Sequence, residues 1–228
     1  MTKIEASLSL NKPWAIGESK YRKILLALSG RKVKYIIEFG SGRSTVRLSL
    51  DFPNANIISV EHHDIYHKET LELLRNYHVK NAVVLHCPLK LIRIGFRYYL
   101  TFDLKTIPLE SKVDFILIDG PVESETIRGR EAPLYMTFPL LKIGGLVALD
   151  DYHRDSAKIV VENWLNSYKE NLRILKKYKK EGLVLLQKCG EQKQLLWPGV
   201  RSMQDNLYAN LRLSIRNFKR LILSVISR

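Results

Sequence analysis

Val33-Lys34-Tyr35-Ile36-Ile37-Glu38-Phe39-Gly40-Ser41-Gly42-Arg43-Ser44-Thr45 is the stretch on which the reading of this chain turns. Val33 to Phe39 is a short apolar run with the length of a buried strand, and it leads straight into a loop holding Gly40 and Gly42. Residues 44 to 51 read as a helix begun by Ser44 or Thr45, both helix-capping types. A strand, a tight glycine loop and a helix in succession open a βαβ unit, whose ligands bind beyond the carboxyl ends of the strands. Glycine lets the backbone turn there and lie against a ligand with no Cβ in the way. Glu61 ends the next apolar run, 61 − 40 = 21 residues past Gly40, the spacing at which an acid accepts hydrogen bonds from ribose hydroxyls. Thr45 stands where a dinucleotide site would have its third glycine.

Outward from this unit the pattern alternates. Residues 18 to 29 read as a helix stopped by Gly30, Ile57 to Val60 as a second strand, 64 to 77 as a helix and Ala82 to His86 as a third strand. Val113 to Ile118 is a fourth strand, 129 to 142 a helix, Gly145 to Leu149 a fifth strand and 156 to 170 a helix. Leu172 to Leu175 and Leu183 to Lys188 close the pattern as an antiparallel hairpin. The expected fold class is therefore α/β, a Rossmann-like, doubly wound, mostly parallel seven-stranded sheet ending in an antiparallel hairpin. An N-terminal arm and helix (1–30) precede the central domain (31–190), which carries a β-like insert at 90–111. A basic amphipathic helix (191–228) follows, joined through Trp197-Pro198-Gly199, with Leu207, Leu211, Ile215, Phe218 and Ile222 at helical spacing.

The 228 residues carry a net charge of +14, which favours an anionic partner such as a nucleic acid, an acidic glycan, a phosphorylated metabolite or a lipid surface. No apolar run is long enough to span a bilayer, so the expectation is a cytoplasmic protein, with docking of the basic helix on its own domain, homodimer formation through it, or peripheral membrane contact as open alternatives. Two widely separated cysteines, Cys87 and Cys189, point to packing rather than to a disulfide framework or a zinc site.

Glu38-x-Gly40-x-Gly42, Glu61, Phe115-Ile116-Leu117-Ile118-Asp119-Gly120 and Leu141-Lys142-Ile143-Gly144-Gly145 together resemble the successive motifs of class I methyltransferases. The resemblance spans residues 33 to about 188 and implies S-adenosylmethionine as cofactor. By that resemblance Glu38 would face the methionine amino group, with Gly40, Ser41, Gly42, Ser44 and Thr45 around the methionine and ribose. Glu61 would take the ribose hydroxyls, and His62 with Cys87, Pro88 and Leu89 the adenine, while Asp119 sits beside the cofactor.

Asp119 and Asp150-Asp151 end the fourth and fifth strands, so a parallel sheet brings all three to the edge that carries the glycine loop. Like charges gathered there call for a cation, and hard oxygen ligands suit Mg²⁺ or Mn²⁺. The pattern resembles metal-dependent O-methyltransferases of the catechol and sugar-modifying types, in which the metal orients an acceptor hydroxyl. Pro121 and Val122 stand where those enzymes place a catalytic Asp or Lys, which leaves His153, Glu123 and Glu125 as candidate proton acceptors. Arg128 and Arg130 are the candidate grip on an anionic small-molecule or glycan substrate. O-methylation of a hydroxyl on a sugar, glycan or small polar metabolite is the leading expectation. An RNA-directed methyltransferase, a polyamine synthase and a membrane-associated binding protein on a methyltransferase fold are its rivals.

Overall fold

The middle strands carry apolar residues on both faces, and the structure buries both. The computed structural model describes residues 8–11, 15–95, 97–104, 112–126, 128–192, 215–219 and 222–223. Its elements are α1 (Glu18–Leu28), β1 (Tyr35–Phe39), α2 (Arg43–Asp51), β2 (Asn56–Glu61), α3 (Asp64–Asn76) and β3 (Ala82–His86). A hairpin of β4 (Leu89–Ile94) and β5 (Arg97–Phe102) follows, then β6 (Val113–Ile118), α4 (Ala132–Thr137), β7 (Leu141–Leu149), α5 (Asp155–Tyr168), β8 (Leu172–Tyr178) and β9 (Leu183–Lys188). Seven strands form one sheet in the order β3-β2-β1-β6-β7-β9-β8, and β4-β5 is a separate two-stranded sheet. The first five strands of that order run parallel, and β9 runs antiparallel to both β7 and β8.

Side chains alternate between the two faces of the sheet, as the two-residue period of a strand requires. Ile36, Phe115, Leu117, Leu146 and Ala148 pack with Tyr21, Ile24 and Leu28 of α1 and Leu48 of α2. Ile37, Phe39, Ile116, Ile118, Val147 and Leu149 pack on the other side with Leu134 of α4, Val160 and Trp164 of α5, and Tyr99 and Phe102 of the hairpin. This three-layer arrangement puts the carboxyl ends of β1 and β6 side by side, where strand order reverses.

Several expectations change. Gly42 caps α2, so Ser44 and Thr45 lie inside its first turn; the Thr45 hydroxyl accepts the Gly42 N–H at 3.0 Å. The helix expected at 129–142 shrinks to α4, because Pro139 cannot continue it and Leu141 already pairs with Val113 as the start of β7. Residues 8–17 are not a loose arm where they are described, since Leu8, Leu10 and Ile16 are buried. The insert read as β-like at 90–111 is a hairpin over the residues described, with 96 and 105–111 outside them. The tail helix is described only at 215–219 and 222–223, where Ile215, Phe218, Ile222 and Leu223 are exposed; the Trp197-Pro198-Gly199 joint, Leu207 and Leu211 lie outside the described residues.

Glu131 fastens the hairpin to the helical layer. Its fully buried Oε1 takes hydrogen bonds from Arg97 at 3.0 Å, Tyr99 at 2.9 Å, Tyr135 at 3.0 Å and Asn163 at 3.1 Å, and Arg128 holds its Oε2. Removing the acid would leave buried Arg97 without its counter-charge. Glu131→Ala should therefore lose about 3–5 kcal/mol in urea unfolding, the cost of breaking a buried pair from one side. Full stability in that variant would show that the network is not what pins the hairpin.

Candidate active site

The loops after β1 and β6 touch. Gly40 has φ 95°, and a Cβ there would sit 2.9 Å from the Gly120 backbone nitrogen, so no larger residue allows the approach. The Gly120 N–H donates to Phe39 O at 2.6 Å and the Gly40 N–H to Val60 O at 2.9 Å, which ties the ends of three strands together. Gly42, at φ 157° and ψ −143°, occupies backbone space that is essentially confined to glycine. Beside it is open space, the floor of a cleft of about 1020 Å³.

Glu61 stitches the glycine loop to the end of β2. Its Oε2 accepts the Ser41 N–H at 3.0 Å, and its Oε1 accepts the N–H groups of His62 at 2.7 Å and His63 at 2.9 Å. Burial works against its charge, but the hydrogen bonds from His62, His63 and Ser41 outweigh it and hold the carboxyl below its usual range. Glu38 lies beneath the loop, fully buried and outside the cleft wall, with Oε2 accepting the hydroxyls of Thr45 at 2.5 Å and Ser59 at 2.8 Å. Burial pushes its carboxyl up to about 7, against the pull of the Ser44, Thr45 and Ser59 hydroxyls, and its Oε1 finds no hydrogen bond.

His62 crosses the cleft wall between two acids, with Nε2 2.8 Å from Glu125 and Nδ1 3.1 Å from Glu61. Burial disfavours the imidazolium, yet the hydrogen bond to Glu125 and the adjoining charge of Glu61 prevail and push the ring up to about 9. His63 also lines the cleft, because β2 stops at Glu61 and strand alternation no longer separates the two rings.

The aspartates converge as the sheet geometry requires, with ligand atoms of Asp119, Asp150 and Asp151 within 4.8 Å of one another. Protein cations already stand among them. Lys20 Nζ of α1 is 2.5 Å from Asp150 Oδ1; Arg130 lies 3.4 Å from Asp119 and 3.1 Å from Asp151; Arg154 lies 3.0 Å from Asp151. Burial and the charge of Asp150 push the Asp119 carboxyl up to about 8, against the opposing pull of Arg130. Lys20, Arg130 and Arg154 thus already occupy oxygens of all three aspartates, where a dication would have to displace them, so the residues as arranged do not fit Mg²⁺ or Mn²⁺.

The structure brings Gly40, Ser41, Gly42, Ser44, Glu61, His62, Asp119, Arg130, Asp150 and Asp151 to one cleft. Thr45 sits below it with Glu38. Cys87, Pro88 and Leu89 stand outside the cleft wall: the Cys87 N–H extends the β2 ladder to Glu61 O at 2.7 Å, which turns the thiol into the core, and Leu89 begins the hairpin. Arg128 is turned away as well, its fork on Glu131. His153 is exposed and lies against Gly182 of the β8–β9 turn, where a Cβ would meet its Nδ1 at 2.4 Å. Asp151 at φ 58° turns the chain so that Arg154, rather than His153, enters the cleft. Sequence reasoning left out Lys20, His63 and Arg154; His63, next to His62, and Arg154, three residues past Asp151, had a positional signal, and Lys20 had none.

No protein-family model and no curated protein matches this sequence. Solved structures match over most of the chain. The O-methyltransferase TomG from Streptomyces achromogenes, involved in tomaymycin synthesis and solved with SAM, is 14% identical with a TM-score of 0.57, covering 83% of this chain and 91% of that one. Cofactor-bound Rv0187 from MTB is 15% identical with a TM-score of 0.59, over 82% and 87%. The precorrin-6y C5,15-methyltransferase of Geobacter metallireducens GS-15 is 15% identical with a TM-score of 0.51, over 81% and 95%. The fold is that of the class I methyltransferases. At such identities the likeness establishes the methyltransferase fold and leaves the chemistry to the residues. Those of the cofactor end fit S-adenosylmethionine: the glycine loop faces open space and Glu61 borders it, while Glu38 lies beneath the loop and outside the cleft.

The His62 bridge has a pH signature. Its folded pKa lies above the unfolded value of 6.5, so the stability it contributes is full below pH 6.5 and is lost as pH rises through about 9. Wild-type protein should thus lose about 1–3 kcal/mol more than His62→Gln between pH 6.5 and 9.5 in chemical denaturation. Parallel pH profiles for the two proteins would contradict a charged His62 bridge.

Proposed function

We propose that this protein is an S-adenosylmethionine-dependent methyltransferase acting on a hydroxyl of a small, uncharged polar acceptor, a sugar or glycan hydroxyl being the leading class. The observation that carries the reading is the cleft at the β1–β6 reversal, floored by Gly42 and bordered by Glu61, where this fold has room for a nucleoside and its methionine arm.

The charge of the acceptor follows from what the cleft cations already hold. Arg128, expected to grip an anion, is bound to Glu131, and Arg130 and Arg154 are bound to aspartates. The cleft wall carries eight carboxylates against four Lys and Arg side chains, a field that suits a sulfonium cofactor and disfavours an anionic acceptor.

The cofactor, when bound, supplies an electrophilic methyl group. The remaining work falls to the chain: to align an acceptor oxygen with that methyl, exclude water and take up a proton. Asp119 ends β6 on the cleft, whereas His153 lies outside it against Gly182, and that position favours the Asp119 carboxylate, once deprotonated, as proton acceptor.

Calorimetry should show S-adenosylmethionine binding that weakens at least about tenfold in Gly42→Val and in Glu61→Ala, while Asp119→Asn keeps affinity within about threefold and loses roughly 10²–10⁴ in methyl-transfer rate. Unchanged cofactor affinity in both of the first two variants would remove the basis of the reading.

A further inference from the structure

We propose that Lys20 is the resident cation of the Asp119, Asp150 and Asp151 cluster, standing where the enzymes this sequence resembles would place a divalent metal, so that the acceptor end of the cleft works without one. Lys20 reaches Asp150 from a helix 130 residues away in sequence, and the pair is well shielded, its side chains 18% and 5% exposed.

Both ends of the pair are fixed by groups outside the cluster. On α1, Glu18 accepts Arg47 and the Leu10 N–H, each at 3.1 Å, and the Tyr21 hydroxyl donates to Asp51 at 2.7 Å. Tyr21, Ile24 and Leu28 of the same helix are buried against the sheet. On β7, the Asp150 N–H donates to Ile118 O at 3.0 Å. The ammonium is therefore delivered to Asp150 by packing, which a mobile surface lysine finding a nearby acid would not require.

Charge balance points the same way. Arg130 spans Asp119 and Asp151, Arg154 shares Asp151 Oδ2 with it and also reaches Glu123, and Lys20 is the remaining cation, on Asp150. A dication entering this set would have to displace Lys20 from Asp150, and Lys20 has no other described partner in the cleft. An ammonium carries three donors and Asp150 takes one, so Lys20 keeps donors for an acceptor oxygen, whose hydroxyl it would orient toward Asp119. That last role rests on the methyltransferase reading; the occupation of the cation position does not.

The test uses Mn²⁺ alone, titrated into the full chain and followed by electron paramagnetic resonance. Wild-type protein should bind no Mn²⁺ below about 1 mM, the weak limit of protein oxygen sites for divalent cations. Lys20→Gln, which frees Asp150, should bind Mn²⁺ at least about tenfold more tightly, and Lys20→Arg should exclude it as the wild type does. Micromolar binding by the wild type would overturn the proposal, as would equal affinities in wild type and Lys20→Gln. Should Lys20→Gln fail to fold, the wild-type titration still decides, and Lys20→Arg checks that a retained cation keeps the metal out. S-adenosylmethionine calorimetry on the same wild-type protein separates the two readings, because absent cofactor binding would sink the methyltransferase assignment and leave the Mn²⁺ result standing.

Discussion

The contact between the Gly40 and Gly120 backbones is the constraint on which the rest of the site depends. Parallel strands on either side of an order reversal send their connections in opposite directions, and a crevice opens between them. Here the crevice is closed at its base by two glycines that leave no room for a side chain, and Phe39 O takes the N–H groups of both Asp119 and Gly120. The glycine loop is thereby turned outward at Gly42, and the Asp119 carboxylate is set at a fixed height beside Asp150, which hangs from Ile118 O. The hairpin is drawn into the same contact. Phe102 lies 3.2 Å from where a Gly120 Cβ would be, and its ring packs against Phe39 with centroids 5.5 Å apart.

Charge is distributed in opposition to the composition. A chain of net charge +14 presents a cleft in which carboxylates outnumber Lys and Arg two to one. The excess positive charge of the sequence is therefore not that of the cleft wall, and tells little about the acceptor. Net charge is an argument about what the whole surface attracts; the field inside a cleft is set by the few groups that line it. Pairing matters as much as number here, because Arg130 and Arg154 are held by aspartates, and a cation already bound to a carboxylate has little attraction left for a substrate anion.

What could be read from the sequence was local or periodic. The strands from Val33 to Leu149 announced themselves by apolar runs, the glycine loop by its place between strand and helix, and the aspartates by standing at strand ends, so the sheet, its ligand edge and the meeting of Asp119 with Asp150 and Asp151 were all legible. The misreadings share a different cause. His153 and Arg154 differ by one position in a turn that follows the positive φ of Asp151, and it is Arg154, paired with Asp151 and Glu123, that lines the cleft. Arg128 looked available because nothing in a linear pattern marks Glu131 as the buried acid that gathers Arg97, Tyr99, Tyr135 and Asn163. Lys20 carried no signal, since its partner is fixed by how α1 packs across the sheet and not by spacing.

These failures fall on one end of the cleft, and the fold accounts for that. The cofactor end is built from consecutive pieces of chain, β1, the glycine loop and the end of β2, whose geometry is dictated by backbone turns and glycine positions. The end proposed to take the acceptor is assembled from α1, the loop after β6 and the turn after β7, three segments distant in sequence and joined by ion pairs. A substitution at Gly40 would break the floor on which both ends stand, whereas Lys20, Arg154 or Glu123 could change with no strand moving. Such a site can keep one cofactor while its acceptor and its counter-ion are exchanged, and its acceptor chemistry is therefore written in tertiary contacts rather than in motifs.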